Sequence, residues 1–234
     1  MDVDLFNETG YIVIEDFVSQ EDTKTIKDIC YNLKKEIIDN NLIGKPKNFG
    51  LPTYWRGLEM ASTQSPILFQ YYTSKKMYDM ATKLLGTKDI YIFNDQIVVK
   101  LPKEDFEFAV HTDNQFGPNN RLALKGGFKT ITCCIVLDDF TPENGPISIL
   151  NKKTGNWDIP LPKKSSLIVW DGNTPHMSSK NNSEQERSVW LCVYSTHDLT
   201  KVLTKPLTNP SRPHVTSEMA SNEFLKFYGE KFII

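Results

Sequence analysis

The apolar positions change their period partway along the chain. Up to about residue 88 they recur mostly at helical spacing, and from residue 89 they fall into short runs bounded by turn residues. Residues 10–17 read as a short opening strand. Ser19 then caps a helix, with Asp22 three residues on in a capping-box arrangement, and Ile26, Ile29, Cys30, Leu33 and Ile37 form its apolar stripe. A second helix is predicted to start at Ser65 with Pro66 in its first position and to close at Gly86. Residues 48–59, with their glycine and aromatics, read as the loop between them. The second half predicts strands over 90–101, 106–110, 130–137, 147–150, 166–170 and 188–194. The segment 114–129 reads as a long loop, a kind that is usually functional inside a compact domain. Pro142-Glu143-Asn144-Gly145 is a strong turn signal. The tail carries three prolines and then a helical pattern over 217–228.

Two helices followed by six to eight short strands predict a mainly β architecture, a sandwich or barrel backed by helices. A doubly wound α/β sheet does not fit, because the later strands do not alternate with helices. The 234 residues suit a single domain with a helical part over about 1–88, a β core over about 89–198 and an extension over 199–234. A formal net charge of −2 provides no general attraction to nucleic acid or anionic membrane, and it argues against tight binding of a phosphate backbone. No apolar run approaches the roughly 18 residues of a membrane span, and the acidic start Met1-Asp2-Val3-Asp4 lacks the pattern of a signal peptide. Cys30, Cys133, Cys134 and Cys192 form no CxxC pair. They read as buried free thiols of a reducing, cytoplasmic setting, with Cys133 and Cys134 facing opposite ways in one strand. The expected partner is a small-molecule substrate; oligomeric state is left open.

The candidate chemistry lies in His111-Thr112-Asp113, with a second histidine at His176 and an arginine at Arg187. Two imidazoles and one carboxylate can occupy one face of an octahedral iron(II) and leave the other open for oxygen and a chelating co-substrate. Alone, an HxD triplet is more often an ordinary polar strand end. Here two of the chain's four histidines sit beside turn-forming residues at strand ends. A period of two puts His111 and Asp113 on one side of an extended strand end. Arg187 follows His176 by eleven residues, which suits a hairpin, and its guanidinium can pair bidentately with a carboxylate. Gln96, Val98 and Lys100 alternate onto one strand face; Gln96 and Lys100 line the substrate pocket if that face looks into the barrel, and are solvated edge residues otherwise. Trp170 reads as core, and Asn114 and Gln115 either contact substrate or only shape the loop.

These residues resemble the phytanoyl-CoA dioxygenase-like branch of the iron(II) and 2-oxoglutarate-dependent oxygenases, over about residues 10–197. The match rests on the opening strand and cap, the strand from Asp95 to Lys100, the HxD, and the stretch from Leu137-Asp138-Asp139 to Glu143-Asn144-Gly145. It is most specific in His176-Met177-Ser178 followed by Asn181, Ser183 and Arg187. The resemblance implies a double-stranded β-helix, the jelly-roll or cupin-like fold, with the early helices on one sheet. It implies Fe(II) held by His111, Asp113 and His176, and 2-oxoglutarate held by Arg187 with help from Ser178 and from the Thr132 hydroxyl. With O2, these would release succinate and carbon dioxide and most often hydroxylate a substrate. Asn151-Lys152-Lys153-Thr154-Gly155 replaces the family's "PGSH"-like segment, a departure that touches the substrate pocket and not the metal ligands. Retention of Asp113 disfavours halogenation. Competing readings are an oxygenase acting on a protein or nucleic acid, a catalytically silent jelly-roll binding module, and a zinc hydrolase, which lacks a general-base signature such as HExxH.

Overall fold

A computed structural model describes residues 1–39, 58–59, 61–63, 65–115, 127–197 and 214–215. The chain opens with a helix, α1 (Val3–Thr9), absent from the sequence expectation. Its signals are local: the Asp2 carboxylate accepts the Leu5 N–H at 2.9 Å, and Gly10 closes it in the left-handed region at φ +85°. Strand β1 (Tyr11–Ile14) follows, then α2 (Gln20–Asp39), whose Ser19 cap accepts the Asp22 N–H at 2.9 Å. Ile26, Cys30 and Leu33 bury the α2 stripe; the Ile37 side chain lies outside the described residues.

The single helix expected from Ser65 to Gly86 is two, α3 (Pro66–Tyr72) and α4 (Lys75–Leu85). The break has a chemical cause. Thr73 Oγ1 bonds back to Phe69 O at 2.8 Å, and Ser74 adopts an extended conformation and caps a new helix by accepting the Met77 N–H. The expected loop over 48–59 also ends differently: Leu58–Glu59 forms β2, a two-residue strand against Ile97 and Gln96, while residues 48–57 lie outside the described residues. The helical pattern over 217–228 and residues 116–126 of the long loop lie outside them as well.

The remaining strands are β3 (Ile90–Lys100), β4 (Phe108–His111), β5 (Thr130–Val136), β6 (Ile147–Leu150), β7 (Trp157–Asp158), β8 (Leu167–Asp171), β9 (His176–Ser178), β10 (Arg187–Ser195) and β11 (His214–Val215). One sheet runs β1-β8-β5-β10-β3-β11, with β2 also on β3; a smaller one runs β4-β9-β6-β7. The pairings are antiparallel, and the two sheets form a jelly roll. The large sheet buries both faces. Ile97, Val99, Cys133, Ile135, Trp190 and Cys192 pack toward the helices. Val98, Cys134, Val136 and Val189 pack toward Ile147 and Ile149 of the small sheet. Cys133 and Cys134 therefore face opposite ways, as the period of two requires, and all four cysteines are free and buried.

A register shift opposite Val193 and Tyr194 re-phases β3. It lets Ile92 and Ile97, an odd number of residues apart, share the helix side, and it puts Gln96, Val98 and Lys100 on the inner side. Among the described residues no helix is long and apolar enough to cross a membrane.

Candidate metal centre

The first ligand pair does not lie along one strand. His111 ends β4, whereas Asp113 begins a single 3-10 turn (Asp113–Gln115), so strand end and turn each supply one ligand. His176 opens β9 and is the register partner of His111 in the small sheet. The ligand atoms of His111, Asp113 and His176 all lie within 4.8 Å of one another. The two imidazole centroids are 4.2 Å apart.

Each imidazole is oriented by its own backbone. The Nδ1 of His111 lies 2.7 Å from Ala109 O, and that of His176 lies 3.0 Å from Thr174 O. A carbonyl can only accept, so Nδ1 carries the proton and Nε2 the lone pair that a metal takes. Burial, and then the neighbouring His176, push the pKa of His111 down, which favours the neutral form a ligand requires.

Asp113 is held from below by the large sheet. Its Oδ2 accepts the indole N–H of Trp170 at 2.8 Å and the Thr132 hydroxyl, while Oδ1 lies 3.5 Å from His176 Nε2. The next residue, Asn114, is tied into the scaffold. Its amide donates to Asn173 Oδ1 at 2.8 Å, its Oδ1 accepts the Thr130 hydroxyl at 2.9 Å, and its N–H donates to Gly172 O at 3.1 Å. Asn114 thus shapes the loop that carries the ligand.

The hairpin expected between His176 and Arg187 is not present. β9 belongs to the small sheet and β10, which Arg187 begins, to the large one, so the connection crosses between sheets. Asn181 stitches the crossing: its amide donates to Lys100 O at 3.1 Å and Gln185 O at 2.7 Å, and its Oδ1 accepts from Ser183 N–H and Oγ. Arg187 is only 1% exposed. Its Nη2 donates to Gly145 O at 2.7 Å, its Nε has no partner, and its guanidinium lies over the Phe140 ring at 5.0 Å. Burial pushes its pKa down to about 10. A desolvated cation with an unsatisfied donor is costly unless an anion completes it. The turn motif now has a role. Asn144 bonds Thr141 N–H and Asp139 O to close the turn, and Gly145, at φ +73°, presents the carbonyl that Arg187 binds. Asp138 accepts the Ser188 N–H at 2.9 Å and the Lys27 ammonium at 2.5 Å, fixing the start of β10 to α2.

Lys100 is the register partner of Arg187 and is fully buried. Its Nζ donates to Ser178 O at 3.1 Å and to Ser179 O, with the Phe108 ring 5.6 Å away. Gln96 shares its strand face and is half-buried; Ser178 is buried two residues beyond His176 in β9. The residue that sequence reasoning missed is Trp170, which reads as core. Its link to Asp113 depends on the β5–β8 register, in which Thr132 and Trp170 are opposite partners.

The donor set itself, two imidazoles that each turn Nε2 away from a backbone carbonyl and one carboxylate, suits a facial iron site. Comparison with known proteins agrees. The family model for phytanoyl-CoA dioxygenase (PhyH) matches residues 6–152, which include His111 and Asp113. Ectoine dioxygenase from Sphingopyxis alaskensis is 22% identical over 151 residues, 62% of this chain and 46% of that enzyme, so the match spans about half of the relative's length. The non-heme alpha-ketoglutarate-dependent carbocyclase SnoK from nogalamycin biosynthesis superposes with a TM-score of 0.71 at 19% identity, over 92% of this chain and 95% of SnoK. EctD from S. alaskensis with bound Fe gives a TM-score of 0.70 at 20% identity, over 92% of this chain and 85% of EctD. The epimerase SnoN from the same nogalamycin route gives 0.68 at 14%, over 91% and 94%. At these identities the likeness establishes a common fold.

Proposed function

This chain belongs to the phytanoyl-CoA dioxygenase family, and from that premise we propose that it is an Fe(II)- and 2-oxoglutarate-dependent oxygenase that hydroxylates a small-molecule metabolite. The carrying observation is that one barrel interior holds both the imidazole–carboxylate triad and a buried arginine whose Nε has no partner. His111, Asp113 and His176 would hold iron. Arg187, with Ser178, would take the far carboxylate of 2-oxoglutarate. Thr132 serves the same site through Asp113.

The spacing supports this assignment. Ser178 lies two residues from His176 on the same strand, roughly 7 Å at about 3.3 Å per residue. Lys100 reaches the Ser178 carbonyl and is the cross-strand partner of Arg187. A five-carbon dicarboxylate held at one end by the triad's metal would offer its far carboxylate to the arginine. When bound, iron and 2-oxoglutarate supply the oxidation: O2, 2-oxoglutarate and a substrate C–H give succinate, carbon dioxide and an alcohol. Gln96 is assigned to the substrate side of the inner face, with Lys100 at its co-substrate end. A silent binding module is the weaker reading, because it would have no use for a buried, half-satisfied cation.

The test is succinate formation by anaerobically iron-loaded protein exposed to O2 with 2-oxoglutarate, beside His176→Ala and Arg187→Met. Wild type is expected to form succinate and both variants to lose it. Absence of both iron and 2-oxoglutarate binding in folded wild type would refute the reading. Mass spectrometry of the product then separates hydroxylation from ring closure.

A further inference from the structure

Asp113 has two oxygens, and the structure treats them differently. Oδ2 accepts two hydrogen bonds, from the Trp170 indole at 2.8 Å and from the Thr132 hydroxyl. Oδ1 faces His176 Nε2 at 3.5 Å. Both donors are built into the sheet. Thr132 and Trp170 are register partners on β5 and β8, 2% and 1% exposed, so they present their polar atoms to the same face at the same level. The Trp170 ring also lies 4.8 Å from the His176 ring, which puts one side chain against two of the three ligands.

We infer that Trp170 and Thr132 are positioning residues for Asp113, holding Oδ2 so that the carboxylate offers a metal Oδ1 alone. This rests on the iron reading above. A carboxylate can bind a metal through one oxygen or both. An oxygen whose lone pairs are taken by two buried donors has no capacity left for the second mode. One coordination position is thereby kept from the carboxylate, and the open face that a chelating co-substrate and oxygen need is preserved. The indole has a single N–H, and away from Asp113 it would be a buried donor without an acceptor. The arrangement therefore locks from both sides: the carboxylate orients the tryptophan and the tryptophan orients the carboxylate.

The same chemistry elsewhere in the chain provides a control. The indole of Trp190 donates to Asp95 Oδ2 at 2.9 Å in the helix-side core. Trp190→Phe removes a comparable buried bond without touching the triad. The experiment measures Co(II) binding, as an air-stable stand-in for Fe(II), and the Co(II) d–d spectrum. Both are recorded well below the melting temperature of each variant. Trp170→Phe and Thr132→Val are expected to weaken Co(II) binding about 10- to 100-fold, the usual range for losing a partner of a metal ligand, and to change the d–d spectrum. Thr132→Ser, which keeps the hydroxyl, is expected to restore both. Trp190→Phe is expected to lower melting temperature and leave both unchanged. Should Trp170→Phe fail to fold, Thr132→Val and Thr132→Ser decide the matter. Wild-type affinity and spectrum in Thr132→Val and Trp170→Phe, or equal weakening in Trp190→Phe, would overturn the positioning role while leaving the iron reading intact. Failure of wild type to bind Co(II) would overturn the iron reading and this inference with it.

Discussion

Gly145 and Gly155 allow a matched test of the turn that supports Arg187. Both have φ +73°, so an alanine at either meets the same left-handed backbone strain. That strain is roughly 1–2 kcal/mol for an L-residue, offset by about 0.4–1 kcal/mol from stiffening the unfolded chain. Gly155→Ala has open space around its new methyl and is expected to lose about 1 kcal/mol. At Gly145 the methyl would meet Ser179 O at 2.6 Å and Lys100 Cδ at 2.9 Å. Ser179 O is backbone and cannot swing away, so overpacking adds about 1–3 kcal/mol. Gly145→Ala should therefore lose about 2–4 kcal/mol. For a chain of this size each kcal/mol moves the melting temperature by about 2–4 °C, and thermal melts in one buffer will resolve the pair. Gly145 also supplies the carbonyl that Arg187 binds, so 2-oxoglutarate affinity is expected to fall in Gly145→Ala and to hold in Gly155→Ala. Equal melting shifts would refute the close-approach argument, and unchanged 2-oxoglutarate affinity in Gly145→Ala would refute the link to Arg187.

Arg187→Met removes a buried cation that has one backbone acceptor and an unpaired Nε. The desolvation relieved and the bond lost nearly cancel, so stability should change by no more than about 1 kcal/mol while 2-oxoglutarate binding disappears; a large drop in melting temperature would mean the guanidinium holds the fold. Burial raises the thiol pKa of Cys30 and Cys134 to about 12 and pushes those of Cys133 and Cys192 well up, which starves each of thiolate at pH 8. Mass spectrometry after alkylation at pH 8 should find no labelled cysteine in the native protein and four after unfolding, whereas rapid native labelling would contradict the burial. Asn181→Ala strips the sheet crossing of its bonds to Lys100 O, Gln185 O and Ser183 and is expected to lose about 2–4 kcal/mol in urea melts; a loss below 1 kcal/mol would show that the crossing is held elsewhere.

The ligand set was legible because residue type carries its chemistry. Few patterns besides a metal site call for His111, Asp113 and His176 beside turns, with an arginine at Arg187. Period-two alternation correctly separated Cys133 from Cys134 and grouped Gln96, Val98 and Lys100. Spacing could not say which sheet a strand joins. Eleven residues from His176 to Arg187 fit a hairpin or a crossing equally well, and Asn181 decides for the crossing through partners distant in sequence. The α3–α4 break was written in Thr73-Ser74, but the continuing apolar spacing of Met77, Met80, Ala81 and Leu84 concealed it. The opposite failure hid α1, whose seven residues bury only Phe6 and Thr9 and so carry little pattern, although Asp2 and Gly10 mark its ends. β2 is two residues long and exists only because β3 is beside it.

The two tryptophan–carboxylate pairs separate what stabilises this fold from what equips it. Asp95 sits on the helix side of the large sheet with both oxygens engaged: Oδ1 by the Ser62 hydroxyl at 2.6 Å, and Oδ2 by the Ser62 N–H and the Trp190 indole, each at 2.9 Å. A buried carboxylate bonded in this way ties the 3-10 turn over Ala61–Thr63 to β3 and to β10. Asp113, on the inner side, has the same indole partner type but only Oδ2 occupied by neutral donors, with Oδ1 directed at an imidazole. Arg187 is likewise half satisfied. Their neighbours, Trp170 beside Asp113 and Phe140 beside Arg187, belong to the cluster on the inner side of the large sheet, while the helix side supplies the larger apolar core. An interior that leaves the Arg187 Nε without a partner and turns Asp113 Oδ1 toward an imidazole is costly as a mere core, and suits the binding of a metal and an anion.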